Sequence, residues 1–186
     1  MWLPDLWKFV TGVKVPQPQK PAPIQPMVPE TPGRKRLAGI VGASAVAGLI
    51  AVVAQWEGKP GLEPHWDRIG KVWDVCYGDT IAEKRSYTEE ECRELLAYRL
   101  AEFAEPVLAR NPELRGRDPQ LIAATSLAYN IGSAAYNRST VARRFSAGDF
   151  KGACDAFLMW TKAGGREVKG LRNRRESERQ ICLRGL

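Results

Sequence analysis

Residues 56–80 read WEGKPGLEPHWDRIGKVWDVCYGDT. Gly58, Pro60, Gly61, Pro64 and Gly70 fill the first half with turn formers, and residues 72–77 then alternate in the manner of a short strand, so the stretch predicts a small β-hairpin. It holds five carboxylates, Glu57, Glu63, Asp67, Asp74 and Asp79, and it follows directly on an uncharged run of aliphatic and small residues. What these acids do, and why they adjoin an apolar segment, are the questions the rest of the chain must answer.

Downstream the pattern turns helical. Thr88 followed by Glu91 is a capping-box signature, with a hydroxyl and a carboxylate placed to satisfy free amides at a helix start. Cys92, Leu95, Leu96, Leu100 and Phe103 then recur at helical spacing, and Pro106 falls near the expected end. Pro119 suits the first turn of a second helix whose Leu121, Ile122, Thr125, Leu127 and Ala128 are apolar enough to be central. Further helices are expected over 140–146, 149–163 and 171–183, separated by Gly148 and by Gly164-Gly165. A small hairpin sheet followed by several helices is an α+β pattern.

The apolar run, residues 37–54, reads LAGIVGASAVAGLIAVVA and contains no charge. At about 1.5 Å of rise per residue, eighteen residues come close to a bilayer core of roughly 30 Å. Arg34, Lys35 and Arg36 stand directly before it, which orients such a segment with its N-terminal side in the cytoplasm and exports everything from Trp56 onward. Only eight of the eighteen residues are Leu, Ile or Val, so insertion is marginal. A cleaved signal peptide, a permanent anchor packed through Gly39, Ala43, Ala47 and Ala51, and an anchor that later leaves the bilayer are all compatible with this composition. Ahead of it, residues 15–32 form a proline-rich spacer, and the opening MWLPDLWKFVTGV is short, aromatic and weakly amphipathic. Three regions result: a proline-rich cytoplasmic segment over 1–36, an apolar helix over 37–55, and a folded domain over 56–186.

All four cysteines, Cys76, Cys92, Cys154 and Cys182, lie beyond the apolar run, and an even count there suggests two disulfides in an oxidising compartment. Of the three possible pairings, Cys76 with Cys92 and Cys154 with Cys182 would each staple neighbouring elements. His65 is the only histidine, so zinc sites and histidine-based triads find no support, and neither a metal nor a cofactor is expected. The net charge of +7 is concentrated over residues 162–184. Such a surface suits any polyanion, but without interleaved aromatic residues it does not read as a nucleic-acid site.

Two carboxylates flanking a glycosidic bond can cleave it, one donating a proton to the leaving oxygen and the other directing water or stabilising charge. Glu57, at the start of the domain, and Asp67, at the hairpin, are candidates. In order along the chain, Glu57-Gly58, Asp67 and the segment VCYG at 75–78 match the pattern of phage-type lysozymes of glycoside hydrolase family 24. SLAYNIG at 126–132, GDFKGACD at 148–155, WTKAGG at 160–165, GLRNRRESER at 170–179 and ICL at 181–183 continue the match. From Trp56 to the C-terminus the chain resembles that family, and most closely its signal-anchor-release endolysins. Each interval of the opening motif is one residue longer here, and Asp74 stands where the family has threonine.

The resemblance implies a lysozyme-like fold, with a β-hairpin lobe and a mainly helical lobe. It also implies a muramidase that hydrolyses the β-1,4 bond between N-acetylmuramic acid and N-acetylglucosamine, causing host-cell lysis; the alternatives are cleavage by transglycosylation, which needs only the glutamate, and a catalytically inactive membrane-tethered module that binds the wall, which the Asp74 departure and the longer intervals would suit. Glu57 is then the general acid and Asp67 the water-directing residue. Asp74 either supplies a neighbouring negative charge or shares the role of Asp67. Tyr77 and Arg175 are carried over as residues of the sugar cleft, Arg175 supporting either the cleft or the core. Tyr129 and Asn130 read as structural, and Glu63 and Asp79 as solvated loop acids. The implied partners are peptidoglycan and, through the apolar helix, the inner membrane, with a monomer released to the periplasm. If residues 37–54 span a membrane, Glu57 is held at its surface, and release of the helix would let it take its place in the fold.

Overall fold

The apolar run does not form one straight helix. In the computed structural model, which describes residues 32–68 and 70–186, it is divided between α1 (Gly33–Val41) and α2 (Ala43–Glu57). The expectations for residues 1–31 lie outside the described residues. Gly42 makes the break: its φ of +86° is open to glycine and strained for other residues, and its N–H closes α1 on the Ala38 carbonyl at 3.0 Å. The chain bends by 116° between the two helices. Among the described residues no single helix is long and apolar enough to cross a membrane, although the bent pair is so by length and composition. Because α1 starts at Gly33, the basic triplet expected with the proline-rich spacer forms its first turn instead.

Both helices pack into the core. Leu37, Ala45, Leu49 and Val53 are fully buried, in one cluster with Leu100, Leu121, Leu127, Phe145 and Phe157. Full burial of each Leu or Val contributes about 1.5–3 kcal/mol, so this segment supplies a substantial part of the hydrophobic stabilisation. Its composition suits a core helix as well as an anchor, because alanine and glycine permit close approach.

The hairpin forms as expected. β1 (Gly61–Asp67) and β2 (Val72–Cys76) pair antiparallel, with His65 opposite Asp74, Trp66 opposite Trp73 and Asp67 opposite Val72. The disulfide Cys76–Cys92 ties its end to α3 (Glu89–Arg110), which opens with the capping box of Thr88 and Glu91 and runs past Pro106.

α4 (Asp118–Ile131) is buried around most of its circumference, as a central helix must be, and packs against α2, α3 and α8 (Lys169–Cys182). Between α4 and α8 lie α5 (Ser133–Arg138), which the sequence did not signal, and α6 (Thr140–Ser146), which has the expected bounds.

The helix expected over 149–163 is shorter. Asp149 caps α7 (Phe150–Asp155), and a 3-10 turn over Ala156–Met159 follows. The chain then forms a second hairpin, β3 (Lys162–Ala163) and β4 (Arg166–Glu167), whose turn is Gly164-Gly165, both at positive φ. A two-glycine loop is the chemistry of a tight hairpin, so these residues bend a strand pair where they had been expected to separate helices. The second disulfide, Cys154–Cys182, joins α7 to α8.

Candidate active site

Glu57 is the last residue of α2. Gly58, at φ +86°, caps the helix through an N–H bond to the Ala54 carbonyl at 3.1 Å and turns the chain into the hairpin. The end of a core-packed helix is a rigid mount, so the position of Glu57 follows from the packing of α2.

Its carboxylate is held from below. Arg174 Nη1 donates to Glu57 Oε1 at 2.9 Å, and Arg174 Nε reaches Glu178 Oε1 at 3.2 Å. Ser126 Oγ donates to the same Glu178 oxygen at 2.6 Å, Arg175 Nε lies 3.0 Å from Glu178 Oε2, and Arg175 Nη2 donates to Asn130 Oδ1 at 3.0 Å. The Glu57 side chain is 26 % exposed and that of Arg174 6 %, whereas Arg175 and Glu178 are fully covered. Burial lowers the Arg175 guanidinium to about 10 against the attraction of Glu178, and burial raises the Glu178 carboxyl against its partners. Glu57 is the end of this network that faces the cleft.

That end opens into a cleft of about 500 Å³ lined by Glu57, Tyr77, Asp79, Arg99, Glu102 and Tyr129, among others. Tyr129 packs edge-on against Phe103 at 5.1 Å. Burial, with the charges of Glu57 and Asp79 adding to it, pushes the Tyr129 phenol up to about 12. It therefore stays a neutral hydroxyl at physiological pH.

Asp79 corrects one expectation, since it is not a solvated acid. It is 9 % exposed, with Oδ1 accepting from the Ile81 and Ala82 amides and from Arg99 Nη2, and Oδ2 accepting from Arg99 Nε at 2.5 Å. Burial alone would raise its carboxyl, but the hydrogen bonds from Arg99 and the two amides outweigh burial and hold it below the usual carboxylate range. Asp79 thus ties the loop after β2 to α3 and forms one wall of the cleft.

The other expected acids stand elsewhere. The hairpin register places Asp67 and Asp74 on one face, with Trp66 and Trp73 on the other in an edge-to-face pair at 5.7 Å. Asp67 Oδ2 accepts the Gly70 amide at 3.0 Å, supporting the hairpin turn. Asp74 Oδ1 lies 3.8 Å from His65 Nδ1, in a separate small depression beside Trp73 and Lys84. Asp79 and Thr80 line both hollows and so divide them.

Of the three acids expected to be catalytic, only Glu57 lines the cleft, and Tyr77 joins it there. Arg175, expected to support either the cleft or the core, lies in the core with no exposed surface. Glu63 is exposed on β1 and accepts from Ser86 Oγ at 2.7 Å. Sequence reasoning missed Arg174, Arg99 and Glu102. Arg174 precedes Glu178 by four residues, one helical turn, and that spacing was the available signal.

A helix end above a cleft, beside a disulfide-tied hairpin and a mainly helical lobe, is a lysozyme-like fold. Residues 54–178 match the phage lysozyme family model, and the chain belongs to that family. It is 40 % identical over 162 residues to a SAR-endolysin of Enterobacteria phage P21, an alignment covering 82 % of this chain and 96 % of that protein. Among solved structures, the muramidase domain of SpmX from Asticaccaulis excentricus superposes with a TM-score of 0.65 at 26 % identity, covering 73 % of this chain and 95 % of that one. The active form of the P1 phage endolysin Lyz superposes with a TM-score of 0.59, covering 83 % of this chain and 95 % of that one, and at 21 % identity shows the fold alone.

Proposed function

We propose that the protein is an endolysin that cleaves the β-1,4 bond between N-acetylmuramic acid and N-acetylglucosamine in peptidoglycan, with Glu57 as the proton donor to the leaving oxygen. The observation that carries this reading is the mount of Glu57. Arg174 fixes one carboxylate oxygen from a buried network, which leaves the other for proton transfer at the cleft. Asp67, or Asp74 on the same hairpin face, takes the second carboxylate role of directing water or stabilising the sugar cation. Tyr77 contributes to the sugar-binding wall.

The test uses the full chain on outer-membrane-stripped cells. Glu57→Gln is expected to lower clearing by at least about 100-fold, the range of a lost general acid. Asp67→Asn and Asp74→Asn then show which hairpin acid matters. Full activity of the Glu57→Gln enzyme would overturn the assignment.

One observation favours a second reading. Asp67 and Asp74 lie outside the cleft lining, and a lytic transglycosylase needs only the glutamate. Mass spectrometry separates the two: hydrolysis leaves reducing muramic ends, whereas transglycosylation leaves anhydro ends lighter by one water.

The membrane part of the reading concerns residues 37–54. In the proposed sequence of events they first hold the chain in the inner membrane with its N-terminus cytoplasmic. They then leave the bilayer and fold as α1 and α2, which brings Glu57 to the cleft in the periplasm. This is supported by the segment's burial in the core, with Leu37, Leu49 and Val53 at no exposure, and by the relatives' description as SAR-endolysins. No cysteine lies in the segment, so activation rests on release and refolding.

A further inference from the structure

α1 begins without a side-chain cap of its own, because Pro32 supplies no hydrogen bond. The Arg34 amide donates instead to Glu94 Oε2 of α3 at 3.1 Å. A neighbouring helix thus provides the acceptor, and a carboxylate meets the positive end of the helix dipole. The Arg34 side chain returns to the same surface, with Nη1 2.6 Å from Glu90 Oε1 and Nε 3.2 Å from Glu94 Oε1. Arg36 lies 3.5 Å from Glu105 Oε1, and its guanidinium sits 4.5 Å over the Tyr98 ring. Glu90, Glu94, Tyr98 and Glu105 fall at helical spacing along one face of α3.

Between these charges the backbones touch. A Cβ on Gly33 would lie 1.9 Å from the Glu94 carbonyl oxygen and 2.7 Å from the Tyr98 nitrogen. Only glycine allows this seat. Exposed ion pairs contribute little individually, so position is fixed mainly by this contact and by the capping bond from Glu94. α1 passes its placement through the Gly42 bend to α2, and α2 ends at Glu57.

We propose that residues 33–36 and the acidic face of α3 form a positioning clamp for Glu57, with Gly33, Arg34 and Arg36 as positioning residues for the reaction. This inference rests on the reading of Glu57 as proton donor. Charges that hold the N-terminal side of an anchored segment in the cytoplasm are, in the folded enzyme, matched by Glu90, Glu94 and Glu105. The clamp closes only when the triplet is on the same side of the membrane as the domain. Full placement of Glu57 therefore waits until the whole segment, charges included, has been released.

The test compares Gly33→Ala with Gly39→Ala in the purified full chain, acting on peptidoglycan. A Cβ at Gly39 meets no atom within 4 Å, so that variant controls for glycine replacement within the same helix. Gly33→Ala is expected to lower kcat about tenfold or more with KM changed less than about twofold, while Gly39→Ala matches the unaltered enzyme. Equal kcat for the two variants overturns the clamp. If Gly33→Ala fails to fold, charge exchange decides: Arg34→Glu lowers kcat, and adding Glu90→Arg, which leaves the Glu94 cap in place, restores it. Failure of the exchange to restore kcat overturns the clamp. A Glu57→Gln enzyme as active as the unaltered one would instead remove the reading of Glu57, which keeps the two failures distinct.

Discussion

Arg174 lies 2.9 Å from Glu57 and 3.2 Å from Glu178, so one guanidinium joins the accessible acid of the cleft to a fully buried acid of α8. The geometry uses two different nitrogens of a planar fork, which a lysine ammonium does not reproduce. The catalytic candidate is thus tied to the helical core through its side chain as well as through α2.

Arg174→Met breaks both contacts and leaves Glu178 with one cationic partner fewer. Removing one member of a buried ion pair costs about 3–5 kcal/mol, and a displaced Glu57 costs roughly 100-fold in turnover. Arg174→Lys keeps the charge and is expected to fall between Met and the unaltered enzyme in both measures. Urea unfolding and kcat on peptidoglycan check this. An Arg174→Met enzyme unchanged in both would show that Glu57 is positioned by α2 alone.

The Asp79–Arg99 pair gives a pH signature. Its folded-state carboxyl lies below the ordinary value of 3.8, so its contribution to stability is present above that value and lost as pH falls through the folded value. Asp79→Asn should cost about 1–3 kcal/mol at neutral pH, the range for a lost charged hydrogen bond in a covered site. The gap between the variant and the unaltered enzyme should then narrow below about pH 4. Denaturant titrations at neutral pH and in acid measure it, and a gap independent of pH would count against the ion pair.

The hairpin, the capped start of α3, the central α4 and both disulfides were legible because each has a local cause: alternation, a capping box, a proline-led apolar run, paired neighbours. What was not legible depends on tertiary context. Arg174 and Arg175 are adjacent arginines in a basic helix, and only the packing of α8 on α4 decides which one reaches Glu57. Asp79 follows a glycine in a loop, where acids are usually solvated, and Arg99 buries it from α3, a distant element. The bend at Gly42 is the sharpest case. A run of alanines, glycines and aliphatic residues has the same composition whether its surroundings are lipid or protein, so the sequence leaves open a choice that the folded core makes.

Cys76–Cys92 closes a loop of 16 residues that carries the Asp79 wall of the cleft. Loop-closure entropy assigns such a crosslink about 3 kcal/mol. Replacing both cysteines with serine should lower unfolding stability by about that amount. Because the loop also spans the cleft, turnover should fall more than in the Cys154→Ser, Cys182→Ser variant, whose disulfide joins α7 to α8 away from it. Equal activity losses in the two variants would argue that the hairpin keeps its place without the crosslink.

Ala43, Ala47 and Ala51 make an exposed stripe along α2, one helical turn apart, whereas Ala45 on the opposite side is fully buried. The stripe separates the two lives proposed for this segment. Leucine at all three positions leaves the core contacts of Leu49 and Val53 untouched, yet makes insertion in a bilayer more favourable by about 1–2 kcal/mol. A change of that size shifts an anchored-to-released equilibrium by roughly tenfold. The triple variant is therefore expected to fractionate with the membrane and delay lysis, while the enzyme that does leave the membrane has unaltered kcat. A core role alone predicts no change in fractionation, so release and lysis at the unaltered rate would remove the membrane stage from the proposal and leave the glycosidase reading standing.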